Sequence, residues 1–506
     1  MGNTVDSNST ELRIAEEKSI KVLPTTPIWY PCEPNGFADM GGTIKTVSRN
    51  PINPSRQRQK GAITDLDASA GWGQDLTQSN FMRLAQGFLF ADLREKDTTA
   101  PINGTAIALT GVVASTKTIS AASGLGVFTA GQIVVLSGFT NAGNNGKKTV
   151  ASCTATTLVL NETMVDETPT SSARVDNAGV MAGAGDLNIV AGSGFPQITS
   201  TTLNFTTLGL VAGEFIFIGG DTSATKFANP LNNGFARIRS IAAHALTLDK
   251  TDHVMVSETG TGLTVQLFTG NVLKNEKTAN LIKRRTYQAE RILGQDDNGT
   301  MSEYVTGAVP NELKINLKQA DKVTMDFAFV ACDHELRDGT VGVKSGTRPT
   351  AVTGDACFNT SSDFSRLKLH KVVAGDACPN ALFSYLSDMT LTVNNNVEPQ
   401  KALAVLGAFD ASVGTFEVSA TATAYFHDTE AVSAVRSNAD VSLDLALAKD
   451  NAGYVIDIPL VSLGGGNAKV EQDKPITVDL SADAAEGEAG HTLLITEFPY
   501  LPSLAQ

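Results

Sequence analysis

Charge is scarce in this 506-residue sequence: Asp, Glu, Lys and Arg make up 18% of it, and Phe, Trp and Tyr only 6%. Glycine, by contrast, occurs 45 times. A chain low in charge and rich in Gly, Thr, Ser and Ala has the composition of a β-rich structural protein rather than of a helical enzyme. The scarcer sign is positive, with 39 basic against 53 acidic residues and a net charge of −14. This balance argues against tight nucleic-acid binding, because affinity for phosphate comes from Lys and Arg displacing counterions, but not against lying beside DNA. Cysteines are five (Cys32, Cys153, Cys332, Cys357, Cys378), scattered and without a CxxC pair, so reduced structural thiols are expected. No apolar run approaches the ~18–20 residues of a membrane-spanning helix. The polar start, Met1-Gly-Asn-Thr-Val-Asp6, has no basic-then-apolar secretory pattern, and Asp6 stands where myristoylation wants Ser or Thr. The expectation is a protein made in the cytoplasm that stays soluble or assembles there.

What is present suffices for several cores: 42% of residues are apolar, and the length predicts two to four domains. Prolines 24, 27, 31, 34, 51 and 54 punctuate the first 60 residues and forbid a long helix there. One helix follows: Phe81, Leu84, Ala85 and Phe88 recur at i, i+3, i+4 and i+7, with Asp75 or Thr77 to cap it and Gly87 to end it. From about 98 to 270 the pattern turns to short strands and Gly/Asn turns, and it is written twice. Ala130-Gly-Gln-Ile-Val-Val-Leu136 matches Ala212-Gly-Glu-Phe-Ile-Phe-Ile218, and Asn144-Asn-Gly146 matches Asn232-Asn-Gly234. Each copy reads as a strand, an Asn-Gly hairpin turn and a second strand. Two small β modules are expected, as spacers or surface decoration. Residues 274–305, with Lys283-Arg-Arg285, read as a solvated face or contact surface.

The second half alternates with period two. Leu313/Ile315/Leu317, Val323/Met325/Phe327/Phe329, Met389/Leu391/Val393, Val441/Leu443/Leu445/Leu447 and Tyr454/Ile456/Ile458/Leu460 predict sheets with one buried face. A strand over 415–426 would run ~35–40 Å at ~3.3 Å per residue, which is unusual unless its edge is paired. Beyond it, Asp428 can cap a short helix carrying Val432 and Val435. In each half, strands therefore lead into a helix.

Signatures of chemistry fail on inspection. His334-Glu335 opens like a zincin motif, but Asp338 stands where the second histidine belongs, and Cys332 with His334 reads as an ordinary strand edge. Asp296-Asp-Asn-Gly299 has turn chemistry without the twelfth-position Glu of an EF-hand. Gly183, Gly185, Gly192 and Gly194 keep no dinucleotide-binding spacing, and Gly464-Gly-Gly466 reads as a flexible loop. No GxSxG elbow or Walker lysine occurs, and the six histidines sit in unrelated segments. No catalytic, cofactor-binding or metal residue is nominated, and no cofactor.

Several strings, taken in order, resemble one phage family. They are Arg58-Gln-Lys-Gly-Ala-Ile-Thr-Asp-Leu-Asp67, Phe235-Ala-Arg-Ile238, Glu303-Tyr-Val-Thr-Gly-Ala-Val-Pro-Asn-Glu312 and Leu391-Thr-Val-Asn-Asn-Asn-Val-Glu-Pro-Gln400. Gly407-Ala-Phe-Asp-Ala-Ser-Val-Gly-Thr-Phe416, Ala424-Tyr-Phe426 and Tyr454-Val-Ile-Asp-Ile-Pro459 continue the series. Together they look like the large tail tube proteins of long-tailed, siphovirus-type bacteriophages. The resemblance implies a mainly β fold: two tail-tube-type β-sandwich units, each with a short helix, plus two inserted small β modules. Its parts are expected at 1–97 and 271–506 for the core, and at 98–180 and 181–270 for the modules. It also implies stacked, commonly hexameric rings in the virion tail, with the tape-measure protein and genomic DNA in the lumen and held without specific binding. Tail terminator and distal tail proteins are expected at the ends. An acidic wall would let DNA slide, and loops such as Pro24–Pro54 and Asp338–Gly375 are candidates for ring-to-ring contacts. The alternative is a tail surface protein binding a receptor or carbohydrate through the modules. Trp29 and Trp72 both lie outside the modules, however, and 98–270 has no Tyr to stack on a sugar. A third reading, a depolymerase, needs a carboxylate pair that only coordinates reveal.

Overall fold

The computed structural model describes residues 7–505 apart from 53, 55, 56, 58, 193, 298, 351–354, 384, 427 and 428. Asp428, the expected cap, therefore lies outside the described residues. The chain is mainly β and divides into two compact units, one of residues 1–90, 282–360 and 387–422, the other of 91–281, 361–386 and 423–506.

The first unit is built on an antiparallel sheet in the order β5-β3-β4-β2-β1. Its strands are β1 (Pro34–Val47), β2 (Ala62–Asp75), β3 (Gly299–Lys318), β4 (Thr324–Ala331) and β5 (Leu386–Asn394). The predicted alternation sets its faces. Leu313, Ile315, Leu317, Met325, Phe327, Phe329, Met389, Leu391 and Val393 are buried on one side, joined by Ala70 and Trp72 of β2. Helix α1 (Met82–Leu89) covers that side. Phe88 lies 5.2 Å from the Phe329 ring, which stacks on Trp72 at 5.3 Å. Aromatic pairs at such separations add to the area they bury.

The helix is where it was expected, but its ends are not. Its N-cap is Phe81, without a side-chain cap; Asp75 closes β2, and Asn80 rather than Thr77 provides the local side-chain bond, accepting from the Thr77 amide at 3.1 Å. Gly87 lies inside the helix because a Cβ there would sit 2.6 Å from the Tyr287 hydroxyl and 3.0 Å from Pro310. Phe90 takes the left-handed cap instead, at φ 47°. Two further expectations need correction. The Pro-punctuated stretch is not a loop throughout, since it contains the 14-residue strand β1. The longest strands are β3, with 20 residues, and β7 below, with 18, whereas the 415–426 segment is a strand of 9 residues, Glu417–Tyr425.

The second unit holds β6 (Val441–Lys449), β7 (Ala452–Lys469) and β8 (Thr477–Ala485), paired β6-β7-β8, with Phe364–Lys371 beside β6. The stretch Asp338–Gly375 is therefore partly strand. Gly464-Gly-Gly466 is a bulge within β7 and not a free loop: Gly465, at φ 82°, passes so close to Asp479 that a Cβ would meet its carbonyl at 2.4 Å. Helix α2 (Glu430–Arg436) packs on β7.

The same unit contains the repeated stretch. One core gathers Ile119, Phe128, Leu136, Val150 and Leu158, and another Ile198, Ile216, Ile238, Leu246 and Leu248. A third cluster joins Ile133, Phe215, Phe217, Phe235 and Phe268 to Ala446, Ala448, Val455 and Phe498. This contact buries β6 on both faces, contrary to the one-sided burial its alternation suggests. The matched strands Gln132–Ser137 and Gly146–Cys153, and Phe215–Ile218 and Gly234–Ala242, do form hairpins.

Their Asn-Asn-Gly motif, however, is not a two-residue turn. Asn145 accepts from the Phe139 amide at 3.0 Å and donates to its carbonyl at 2.9 Å; Asn233 does the same for Phe227 at 3.0 and 3.0 Å. Asn144 donates to Glu167 at 2.8 Å, as Asn232 does to Glu258 at 2.6 Å. Each carboxylate also accepts two backbone amides, of Thr140 and Asn141 or of Ala228 and Asn229. The asparagines thus pin a longer loop by their side chains, and the repeat includes a Glu that string matching passes over.

Candidate functional site

The surface best suited to assembly is the open edge of the first unit's sheet. β1 pairs with β2 from Pro34 opposite Gln74 to Val47 opposite Ala62, and no described residue pairs with its other edge. That edge leaves a row of amides and carbonyls without a ladder partner. Proteins usually blunt such edges by shortness, internal proline or lysine. β1 has 14 residues, its proline stands at the first position, and its one lysine, Lys45, is drawn sideways onto Asp67. Phe37, Ile44 and Val47 are exposed along it. A second open edge occurs in the other unit. β7 pairs with β6 only as far as Val461, so residues 462–469 have β8 on one side and no described ladder partner on the other.

The front of the first sheet is polar and balanced in charge. Asp75 and Gly73 of β2 face Thr324 and Asp326, which face Asn316 and Lys314 in turn, whereas beyond Ser69 the front carries Val330 and the fully buried Val309 in an apolar cluster. Lys314 sits 2.7 Å from Glu312, Lys322 is 2.8 Å from Asp75, and Asn316 donates to Asp326 at 2.8 Å. Lys401 and Lys45 take up Asp65 and Asp67, whose carboxyls lie below their ordinary range chiefly through the Lys401 bond. The carboxylates named on this front are therefore paired rather than bare.

The sequence matches the phage tail tube protein family over residues 7–484. The chain belongs to that family. It is a structural component of the virion tail, and no curated protein matches it. The family match spans both units and the repeated stretch. Nothing in this tail tube protein's described residues gathers three or more metal-ligating side chains. No helix among them is long and apolar enough to cross a membrane.

The segments weighed for chemistry fall into structural places. Cys332 is buried, and His334 donates to or accepts from Glu303 at 2.7 Å, depending on its tautomer. Asp296 accepts from the Gly299 amide at 3.0 Å and so closes the turn into β3. Residues 287–296 are strand, and Arg285 is buried rather than part of a solvated face; Arg284 pairs with Asp410 at 2.9 Å.

What the sequence reading missed is a buried ionic cluster between β6, β7 and the second repeat. The polar residues that alternate with leucines and isoleucines, Ser442, Asp444 and Asp457, are fully buried. Lys250 reaches Asp457 and Ser442 and lies 3.9 Å from Asp444. Arg237 donates to Asp249 at 2.8 Å and to Asp457 at 3.1 Å. Arg366 bridges Asp444 and Asp252. Burial opposes ionisation of Asp457, but Lys250, Arg237 and His491 outweigh it and hold the carboxyl well below the usual carboxylate range. For His370, burial comes first, reinforced by Lys250 and Arg366 against Asp444, and its imidazole falls to about 4.

That depression sets a pH dependence. A base whose folded pKa lies below its unfolded 6.5 contributes stability above 6.5 that is lost as pH falls toward 4, because the unfolded chain binds the extra proton. The shift is worth about 3 kcal/mol at ~1.4 kcal/mol per unit. In urea unfolding, the stability difference between wild type and His370→Gln should change by about that amount between pH 7 and pH 4. A difference that stays constant over the range refutes the assignment.

Proposed function

We propose that copies of this chain close into rings through their open strand edges, β1 of one copy adding to residues 462–469 of the next. The rings stack into the tail tube of a siphovirus-type phage, assembled in the host cytoplasm, and genomic DNA passes through after the tape-measure protein. The observation that carries this reading is the 14-residue edge of β1, long, exposing Phe37, Ile44 and Val47, and without a ladder partner among the described residues. Joining such edges in a closed ring removes the aggregation liability each would carry alone. A polar front with its carboxylates paired suits a wetted wall, since it presents neither a lysine field that would hold phosphate nor an apolar surface. In this reading 98–180 and 181–270 are modules inserted in the tube core, and terminator and distal tail proteins meet the tube at its ends.

Negative-stain microscopy of the purified protein is the direct test. Rings or tubes with a central hole are expected; a strict monomer at high concentration refutes the reading. Mass measurement of single rings then fixes the copy number. The resemblance gives six chains. Three chains would offer as many strand-and-helix units, because each chain carries two, and the two outcomes differ twofold in mass.

A further inference from the structure

Glu398–Lys401 and Ala408–Ser412 form a hairpin that is a two-stranded sheet of its own. Its two strands are firmly held. Lys401 lies 2.5 Å from Asp65 and also pairs with Asp67, Arg284 donates to the Ala411 carbonyl at 2.5 Å, and the Ala408 amide donates to Cys332 at 3.1 Å. Val397 and Ala411 are buried with Phe90 and Val309.

The tip is the opposite. Ala402, Leu403, Ala404, Val405 and Leu406 are all exposed, Leu403 at 98% of its full surface, and Phe409 is exposed beside them. Ala404 takes a left-handed φ of 66°, so the tip is a defined turn. A contiguous apolar patch on a firmly anchored support marks a docking site rather than scattered surface hydrophobics.

Charge points to what docks there. Residues 402–409 carry no charge, in a chain of net charge −14. Two copies of such a chain repel each other generally, and they approach at least electrostatic cost where neither presents carboxylates. We propose that the hairpin tip is a peg that seats on a second copy of this chain. The peg rests on the reading of the chain as a tube subunit and adds to the strand edges a contact between copies centred on Leu403.

Two variants test it. Leu403→Asp should fold with an unchanged far-UV spectrum and melting temperature, while the concentration needed to form sedimenting assemblies rises about tenfold or more, as for loss of a central apolar anchor. Leu403→p-benzoylphenylalanine, irradiated in wild-type-like assemblies, should yield covalent chain dimers, and it keeps the question open to measurement if the aspartate variant misfolds. The peg is overturned if Leu403→Asp assembles at the wild-type concentration, or if the photoproduct stays within one chain. Dimers crosslinked through residue 403 in a preparation that never forms rings would keep the peg and reject the tube. Absence of both rings and dimers rejects both.

Discussion

Replacing Asp457 by alanine is expected to lower the unfolding free energy by about 3–5 kcal/mol, the usual range for removing one partner of a buried charge pair. The carboxylate is fully buried and receives Lys250, Arg237 and, at 3.8 Å, His491. Its removal leaves an ammonium that is 4% exposed without its main counter-charge and takes from Arg237 one of its two carboxylates, Asp249 remaining. Lys250→Met should cost a similar amount for the converse reason, by stranding Asp457. The double variant Lys250→Met with Asp457→Leu is expected to lose clearly less than the two single losses combined, because it strands neither charge. Chemical denaturation of the three proteins measures this, and a single-variant loss below about 1 kcal/mol, or strict additivity, sinks the account. The cluster ties the second repeat to the β6–β7 strands, so the Asp457→Ala protein should also expose the repeat to protease before the rest of the chain.

This cluster shows where the sequence stopped being legible. Alternation in 441–447 and 454–460 correctly gave strands, and their apolar members are core except Leu460, which is only half-buried while Val461 beside it is buried. Periodicity of two, however, says only that alternate residues face opposite sides; it does not say that the other side is water. Here the repeated stretch covers it, so Asp444 and Asp457 are buried, and their cations, Lys250, Arg237 and Arg366, come from segments up to 220 residues away in sequence whose proximity no local pattern encodes. β1 was illegible for the opposite reason. With both its faces largely exposed, it lacks the hydrophobic beat by which strands are recognised, and its Gly and Pro content imitates a loop. The Asn-Asn-Gly motif was found as a repeat but misjudged in role, since turn propensity describes an asparagine's backbone and not the two side-chain bonds that Asn145 and Asn233 make. Family membership was legible because several weak strings occur in order over most of the chain.

A pair of proline substitutions in β1 should separate the strand's two edges. Thr43 and Ile44 lie in regular register, opposite Asp67 and Leu66, away from the three places where the ladder shifts. In an antiparallel pair, successive residues turn their amides alternately toward the partner strand and away from it. One of Thr43→Pro and Ile44→Pro therefore breaks a bond to β2, while the other removes only a donor on the open edge. The first should lower the melting temperature and the second leave it near wild type, yet both should abolish tube formation. An unmade bond at a strand seam costs about 1–3 kcal/mol, and a closed ring repeats that seam once per copy, so a modest loss at each joint is multiplied before the ring can close. Melting curves identify which substitution spared the fold, and microscopy of that protein decides the matter. If it still forms tubes of wild-type appearance, the open edge of β1 is not the joint between copies, whatever else holds them together.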